Sequence, residues 1–462
     1  MSQLLRVEQL VDDQAIGRFN IKLLVWSFLA MFADGYDITA ISFAAPELVH
    51  SWHLDKSMFG PVLSASTVGI FFGAPLMGWI GDRFGRRIAI IAGCLIYGLS
   101  TLAMVGAHNL DQMYYLRVLT GIGLGGVMPN TIALSSELSP KRWRATLIVL
   151  MFIGITLGSG TPGPVAAWLV PIYGWHVLFL IGGLVPLIVA IGLVFALPES
   201  IKFLALQEHR RPALLQIARR MRPDLGIADD ARFEMAAVTR MKGNPLEMFR
   251  GSLAAITPLL WLCFCMVLMS NYFLNSWMPL LFQASGLSVK ATALCSTLYH
   301  VGGSIGGLLI SVLLDRFGFV VIAVLLIIAV PAIALIGASG IPIFTLALAS
   351  TVAGFGVLGG QFGNNASAGL LYPTAIRSTG VGWAFAVGRV GGIVGPLIGG
   401  VLLQRHWPTP DLFKAASGPM AVGALAAMVL ARLCYVRYGG FTLDDTPVAV
   451  STQPVAAPLR VK

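Results

Sequence analysis

Two long stretches of the sequence contain no charged side chain. No Asp, Glu, Lys or Arg occurs in residues 145–198 or in residues 317–376. A bilayer core of ~30 Å requires about 20 apolar residues per helix, so each stretch is long enough for two membrane spans joined by a short turn. Because lipid offers the backbone no hydrogen-bonding partner, these spans are predicted to be helical.

The rest of the chain shows the same pattern of apolar runs between polar breaks, which predicts twelve spans. Only 11% of the residues are charged, against roughly 25% in soluble domains. The expected spans are residues 23–45, 59–80, 88–107, 113–136, 145–168 and 177–197, then 254–282, 291–314, 320–336, 341–366, 379–403 and 412–435. We therefore expect an N-terminal segment (1–20), a first half (21–197), a central loop (198–250), a second half (251–436) and a disordered tail (437–462).

Basic residues concentrate in alternate loops. One set of loops holds Arg83, Arg86, Arg87, Lys141, Arg142, Arg144 and ten basic residues between Lys202 and Arg250. The other set holds Lys56, Lys290, Arg405 and Lys414. The positive-inside rule therefore predicts that both termini and the central loop are cytoplasmic.

Composition and motifs argue against several classes of protein. The formal net charge is +10, but no nucleic-acid-binding motif accompanies the basic loops, so no nucleic-acid partner is expected. The five cysteines lie mostly in predicted spans and indicate buried small side chains rather than disulfides. The sequence contains no Walker-type phosphate loop and no His-Glu-x-x-His metal motif, so we expect no cofactor, no metal and no enzymatic activity. The expected state is a monomer in a lipid bilayer.

A sequence repeat at an offset of 233 residues divides the chain into two halves. The matching positions are Asp82-Arg83-Phe84-Gly85 with Asp315-Arg316-Phe317-Gly318, Gly121-Ile122-Gly123 with Gly354-Phe355-Gly356, and Gly73, Pro140 and Arg144 with Gly306, Pro373 and Arg377. The predicted fold is an all-α membrane protein with twelve transmembrane helices in two six-helix pseudo-symmetric halves. Transporters that rock about a site at the midplane use this plan.

The motif Gly78-x-x-x-Asp82-Arg83-x-Gly85-Arg86-Arg87 lies in the predicted turn between spans 2 and 3. A small residue at Gly78 allows neighbouring helices to approach, and Asp82 can pair with arginines across the interface between the halves. We expect a cytoplasmic latch that forms in one conformation; the alternative is that the arginines are only positive-inside anchors. The other expected latch residues are Glu137, Arg144, Asp315, Arg316 and Arg377.

These motifs and the twelve-span plan resemble the major facilitator superfamily over nearly the whole chain. Leu197-Pro198-Glu199-Ser200 is similar to a sugar-porter signature, but the Pro-Glu-Thr-Lys element expected after the last sugar-porter span is missing. Asp34-Gly35-Tyr36-Asp37 and Gly388-Arg389-x-Gly391-Gly392 instead resemble the aromatic acid:proton symporter family. The resemblance implies a carrier in the bacterial inner membrane that imports benzoate-like and hydroxylated aromatic acids.

Asp34 and Asp37 share one face of span 1 because they are three residues apart. They lie roughly 20 and 24 Å from the expected start of the span at 1.5 Å per residue. A carboxylate at that depth costs about 2.5–3.5 kcal/mol on insertion scales, so it should face a cavity or a cation, and Arg117 is the expected partner. We hypothesise that Asp34 or Asp37 carries the proton; the alternative is a purely structural clamp between an aspartate and Arg117.

Arg389 in span 11 is the expected site for the substrate carboxylate, because a guanidinium can hold a carboxylate through two hydrogen bonds. The alternative is that Arg389 extends to water near the cytoplasmic loop. His300 in span 8 is a further candidate for proton coupling, since imidazole titrates near neutral pH; the alternative is a packed, hydrogen-bonded histidine.

An aromatic substrate requires apolar walls with a few polar groups. Besides Arg389, the expected substrate-binding residues are Tyr36, Gln361, Asn364, Asn365 and Trp383, and further wall candidates are Tyr272, Trp277 and Phe385. Each of these also fits a role in packing or at the membrane interface.

The sequence thus predicts a secondary active transporter for proton-coupled uptake of small aromatic carboxylates by alternating access, with the acid, protons and the lipid bilayer as its partners. The alternatives are proton symport of another organic anion and drug export. A membrane sensor or enzyme is a weaker alternative, because the central loop is short for a catalytic or signalling domain.

Overall fold

The computed structural model describes residues 4–234, 245–251, 253–372 and 376–438. Within these residues, twelve helices are long and apolar enough to cross a bilayer, which confirms the predicted all-α membrane fold. Spans 1 to 6 are Arg18–Ser51, Phe59–Phe84, Arg86–Ala103, Leu110–Leu138, Arg144–Gly160 with Pro162–Tyr173, and His176–Ala196. Spans 7 to 12 are Leu253–Ala284, Val289–Phe317, Phe319–Ile336, Ile343–Leu371, Arg377–Gln404 and Thr409–Tyr438. Residues 439–462 of the predicted tail lie outside the described residues.

Shorter elements lie between the spans and at the N-terminus. They are the strands β1 (Leu4–Arg6) and β2 (Arg232–Glu234), the helices Val7–Asp12, Ile201–Ala205 and Arg211–Met221, and the 3₁₀ turns Lys56–Met58, Met104–Gly106, Glu208–Arg210, Pro223–Leu225 and Pro245–Phe249.

Most spans extend beyond the predicted apolar runs. Span 1 runs from Arg18 to Ser51 rather than from residue 23 to residue 45, because a helix satisfies its own backbone groups and can continue past the hydrocarbon core. Span 5 was predicted as one helix but consists of two that meet at Thr161. Pro162 has no N–H to donate and therefore begins a new helix.

The two halves pack their helices in the same arrangement. Span 1 contacts spans 5 and 6, span 2 contacts span 4, and span 3 contacts spans 4 and 6. In the same way, span 7 contacts spans 11 and 12, span 8 contacts span 10, and span 9 contacts spans 10 and 12. Close approaches occur at glycines related by the repeat. A Cβ added at Gly73 would lie 2.4 Å from the carbonyl oxygen of Ile122, and one added at Gly306 would lie 2.3 Å from that of Phe355. The repeat in sequence is therefore a repeat in helix packing.

The halves meet through spans 1 and 7, 2 and 11, and 5 and 8. We call the bundle end that carries Arg86 and the segment between spans 6 and 7 the basic face, and the other end the opposite face. Near the opposite face, a Cβ added at Gly60 would lie 3.3 Å from the Cα of Gly400, and one added at Gly163 would lie 3.1 Å from the carbonyl oxygen of Ala293. The two halves are thus in close backbone contact at the opposite face.

A small folded unit covers the basic end of the first half. β1 pairs in parallel with β2, with Leu4 opposite Arg232. Leu10 and Leu214, from the helices beside these strands, share an apolar core with Leu138 at the end of span 4. The sequence predicted a polar segment and a polar loop in these regions, and the structure shows that they fold together against the spans.

Gly121→Ala should destabilise the protein, because the added Cβ would lie 2.0 Å from the carbonyl oxygen of Ser66 and would force spans 2 and 4 apart. Overpacking of this kind costs about 1–3 kcal/mol, so we expect a lower apparent Tm in detergent. Gly369→Ala is the matched control, since no atom lies within 4 Å of its Cβ position. An equal Tm for the two variants would contradict the close approach of these spans.

Candidate functional site

A cavity lies between the two halves, with walls from spans 1, 2, 4 and 5 of the first half and spans 7, 8, 10 and 11 of the second. Apolar side chains such as Ile38, Leu268 and Phe385 form much of its surface. The polar side chains that line it are Asp34, Thr156, Ser159, Asn271, Tyr272, Asn275, His300, Gln361, Asn365 and Arg389. A mostly apolar cavity with a few convergent polar groups suits a small ligand that has both kinds of surface.

Arg389 lines this cavity from span 11. Gly392, one turn further along the same span, packs against the ring of Tyr272, and a Cβ added at this glycine would lie 3.1 Å from that ring. Arg389 interacts electrostatically with Tyr272 and Asp34, but it forms no hydrogen bond or ion pair with any residue that the structure describes. A guanidinium with free donors in such a cavity is suited to bind a carboxylate.

Asp34 lines the same cavity from span 1. Its side chain is 5% exposed and forms no hydrogen bond or ion pair within the described part of the chain. It interacts electrostatically with Asp37 and with Arg389 across the cavity. Asp34 is therefore placed where a change in nearby charge can change its protonation.

Asp37 and Arg117 form a buried ion pair with a distance of 2.7 Å between Oδ2 and Nη1, and their side chains are 0% and 1% exposed. The Thr101 hydroxyl donates to the other carboxylate oxygen at 2.8 Å. Arg117 also donates from Nη2 to the Ser66 hydroxyl at 2.9 Å. The structure thus pairs Arg117 with Asp37 rather than with Asp34, and this pair joins spans 1 and 4.

His300 lines the cavity from span 8 and is 6% exposed. It lies against span 5, where a Cβ added at Gly160 would be 3.5 Å from the Cβ of His300. Its imidazole has no hydrogen-bond partner among the residues that the structure describes. The next turn of span 8 joins span 5 through a 2.8 Å hydrogen bond from the Ser304 hydroxyl to that of Thr156.

Three of the predicted substrate-binding residues do not line the cavity. The Tyr36 hydroxyl donates to a backbone carbonyl of span 6 at 3.3 Å. Asn364 is 1% exposed and accepts a hydrogen bond from Cys263 at 3.4 Å. Trp383 is 51% exposed and stacks on Trp261 at 6.0 Å between ring centroids. These three side chains lie outside the cavity in this structure, because the helix faces that carry them pack against other elements or lie at the surface.

The other predicted residues divide between the cavity and its surroundings. Gln361, Asn365, Tyr272 and Phe385 line the cavity. Trp277 does not, because its indole N–H donates to the carbonyl of Pro396 at 3.0 Å and the ring is fully buried.

Two further side chains, Asn271 and Asn275, line the cavity from span 7 and were not predicted from the sequence. Their spacing of four residues places both on one face of a helix. A polar face in an otherwise apolar span is the sequence signal that could have identified them.

The sequence profile of the Major Facilitator Superfamily matches residues 27–319 and 260–457, which cover most of the chain. The chain belongs to the Major Facilitator Superfamily. The crystal structure of a D-xylose-proton symporter matches 89% of this chain and 97% of its own, with a TM-score of 0.69 and 17% sequence identity. At that identity the likeness concerns the fold alone.

Relatives within the Major Facilitator Superfamily are transporters named for aromatic acids. The 4-hydroxybenzoate transporter PcaK of Acinetobacter baylyi is 36% identical over 435 residues, which are 92% of this chain and 94% of that protein. The gallate transporter of Pseudomonas putida is 36% identical over 425 residues, which are 91% of this chain and 94% of that protein.

The predicted latch residues of the first half bond within that half. Asp82 pairs with Arg86 at 2.5 Å, and Arg86 donates to the side-chain oxygen of Asn130 at 3.2 Å. Glu199 accepts from the backbone N–H of Arg87 at 3.2 Å. Burial raises the pKa of the Glu199 carboxyl above its ordinary value, although backbone hydrogen bonds oppose this. The turn between spans 2 and 3 is thus held to the end of span 6.

The remaining latch predictions have similar local partners. Glu137 accepts a hydrogen bond from the Ser200 hydroxyl, and Arg144 lies 3.4 Å from a carboxylate oxygen of Asp12. A Cβ added at Gly78 would meet no atom within 4 Å. The close helix approach expected at Gly78 is therefore not formed in this structure.

The second copy of the motif is described in part. Arg316 lies over the ring of Phe317, 5.3 Å from its centroid, and Arg377 donates to the carbonyl of Tyr372 at 3.1 Å. The side chain of Asp315 lies outside the described residues, as does Pro373. A latch across the halves stays a prediction for another conformation.

Removing one partner of the Asp37–Arg117 pair should destabilise the protein strongly. Asp37→Ala leaves a buried guanidinium without its carboxylate, which costs about 3–5 kcal/mol, so the apparent Tm in detergent should fall. The double variant Asp37→Leu/Arg117→Met should recover much of that loss, since an apolar pair of similar volume often replaces a buried ion pair at little cost. A double variant as unstable as the single one would show that the unpaired charge is not the cause.

Proposed function

We propose that this protein is a secondary active transporter that takes up small aromatic carboxylates together with protons by alternating access. The observation that carries the proposal is Arg389, which lines an internal cavity without an ion-pair partner among the described residues and lies within electrostatic range of Asp34. The relatives named for 4-hydroxybenzoate and gallate support the class of substrate. We expect benzoate, hydroxybenzoates or hydroxyphenylpropionates as substrates.

In the proposed complex, the substrate carboxylate binds the guanidinium of Arg389. The aromatic ring then packs against Tyr272 and Phe385, which line the same cavity. Gln361 and Asn365 supply polar groups on span 10 for ring substituents. This arrangement places the one charged group of the substrate on the one arginine that lines the described cavity.

Asp34 is the proton carrier in this proposal. In the empty cavity, the charge of Arg389 favours the carboxylate form of Asp34. A bound substrate carboxylate neutralises Arg389 and adds a negative charge nearby, which favours the protonated form. Substrate and proton then bind cooperatively. Asp37 is already neutralised by Arg117 and acts as a clamp, whereas His300 in the cavity is a second group that can exchange the proton.

Alternating access requires the halves to open at one face while they close at the other. The contacts around Gly60 and Gly400 close the opposite face. In the other state, these contacts separate and Asp82 takes a partner on the second half. The residues of the predicted latch then hold the basic face closed.

The basic face is cytoplasmic in this proposal, and the protein is a monomer in a bacterial inner membrane with both termini in the cytoplasm. The excess of Lys and Arg in the loops of the basic face supports this orientation. A cysteine introduced at Ser57 should react with a membrane-impermeant thiol reagent in intact cells, and one introduced at Asp82 should not. The reverse result would invert the orientation.

Vesicles that contain the protein should accumulate labelled 4-hydroxybenzoate under an inward proton gradient, and a protonophore should abolish the accumulation. Asp34→Asn mimics the protonated carboxyl group, so it should abolish gradient-driven accumulation but retain exchange of labelled for unlabelled acid. Asp34→Glu keeps an ionisable carboxyl and is the matched control. Gradient-driven accumulation by Asp34→Asn would exclude Asp34 as the proton carrier.

Arg389→Ala separates substrate binding from proton coupling in the same assay. It should lose exchange as well as accumulation, because hydrogen bonds to a charged group contribute about 1.5–3 kcal/mol each. If Arg389→Ala kept the exchange rate and apparent KM of the unaltered protein, the carboxylate would bind elsewhere.

A further inference from the structure

A hydrogen-bonded group of side chains forms the polar wall of the cavity on the second half. Asn271 donates from Nδ2 to Oε1 of Gln361 at 2.9 Å. Its Oδ1 accepts from the Tyr299 hydroxyl at 2.9 Å and from Nδ2 of Asn275 at 2.7 Å. Asn275 also donates from Nδ2 to the backbone carbonyl of Asn271 at 3.0 Å. We call these four residues the amide cluster.

The direction of these hydrogen bonds determines which polar atoms remain for a ligand. The Tyr299 hydroxyl donates to Asn271 and so orients its amide group. Asn275 then uses its NH₂ group on Asn271, which leaves Asn275 Oδ1 without a partner among the described residues. Gln361 uses Oε1, which leaves its Nε2 without one in the same part of the chain. Both Asn275 and Gln361 are half-buried and line the cavity, which therefore offers one acceptor and one donor.

We propose that Asn275 Oδ1 and Gln361 Nε2 bind a hydroxyl group on the ring of the transported acid, so that the protein selects hydroxylated aromatic acids over unsubstituted ones. A phenolic hydroxyl donates one hydrogen bond and accepts others, which matches an amide oxygen and an amide NH₂ group in one wall. A ring without the hydroxyl displaces water from both atoms and gives them no hydrogen-bond partner in return, which costs free energy. This inference rests on the proposed function, because it requires the acid to bind in this cavity.

The depth of Asn275 relative to Arg389 fits one aromatic ring between them. The ring of Tyr272 packs against Gly392, so these residues lie at one level. Arg389 precedes Gly392 by three residues toward the basic face, and Asn275 follows Tyr272 by three residues toward the opposite face. At 1.5 Å per residue, the two backbone positions differ in depth by roughly 9 Å. A ring with a carboxylate at one end and a hydroxyl at the other spans this interval once the side chains reach inward.

The test compares 4-hydroxybenzoate with 4-methylbenzoate, which has nearly the same shape but cannot form the hydrogen bonds. In vesicles with the unaltered protein, we expect an apparent KM about 5–10-fold lower for the hydroxylated acid, the effect of one or two net hydrogen bonds. Asn275→Ala should bring the two KM values within about 2-fold of each other, chiefly by weakening 4-hydroxybenzoate. Gln361→Ala should also bring the two KM values within about 2-fold of each other, because it removes the amide NH₂ group proposed to bind the hydroxyl.

Ser270→Ala is the matched control on span 7, because its hydroxyl donates to the carbonyl of Ala416 at 2.8 Å and does not line the cavity. This variant should keep the KM ratio of the unaltered protein. Equal KM values for the two acids in the unaltered protein would overturn the inference, and so would an unchanged ratio in Asn275→Ala and Gln361→Ala. Uptake of neither acid by the unaltered protein would instead overturn the proposed function, and this inference with it.

Discussion

A charged side chain in the interior of a membrane is costly unless it is paired or faces a polar cavity, and this constraint organises the centre of the bundle. Asp37 and Arg117 meet it by pairing at 2.7 Å with almost no exposure. Asp34 and Arg389 meet it by lining the cavity, without an ion pair to any described residue. Two charges are thus fixed in the scaffold, and two face the cavity, where the proposed function assigns them to a proton and an anion.

The two halves share their helix packing, but they do not share the charged residues inside the membrane. The glycine contacts between spans 2 and 4 recur between spans 8 and 10, and both motif turns need glycine because Gly85 and Gly318 have φ values of 117° and 52°. The charged positions inside the membrane do not recur, since the residue 233 positions after Arg117 is Ser350 and the residue 233 positions before Arg389 is Thr156. The halves share a scaffold, whereas the clamp lies in the first half and Arg389 in the second. A polar site between them is therefore asymmetric even though the fold is not.

Features with a strong physical constraint were predictable from the sequence. The twelve spans follow from the length of apolar runs, and the choice of Arg117 as partner for an aspartate of span 1 follows from the cost of intramembrane charge. The rotation of each helix was not predictable, because it depends on the neighbours that each face meets. Asn364 and Asn365 lie about 100° apart around their helix, and Asn365 lines the cavity while Asn364 contacts Cys263. The pairing of β1 with β2 joins segments that are far apart in the sequence, so no local sequence pattern indicates it.

Two ion pairs of the first half differ in how readily they can change partners. Breaking the buried Asp37–Arg117 pair costs about 3–5 kcal/mol, so we expect it to persist while the halves move. The Asp82 side chain is 68% exposed in its pair with Arg86, and exposed pairs contribute roughly 0–1 kcal/mol. Asp82 can therefore exchange Arg86 for a partner on the second half at little cost. A first half that stays rigid around a buried clamp, while its surface contacts form and break, has the mechanical property that alternating access requires.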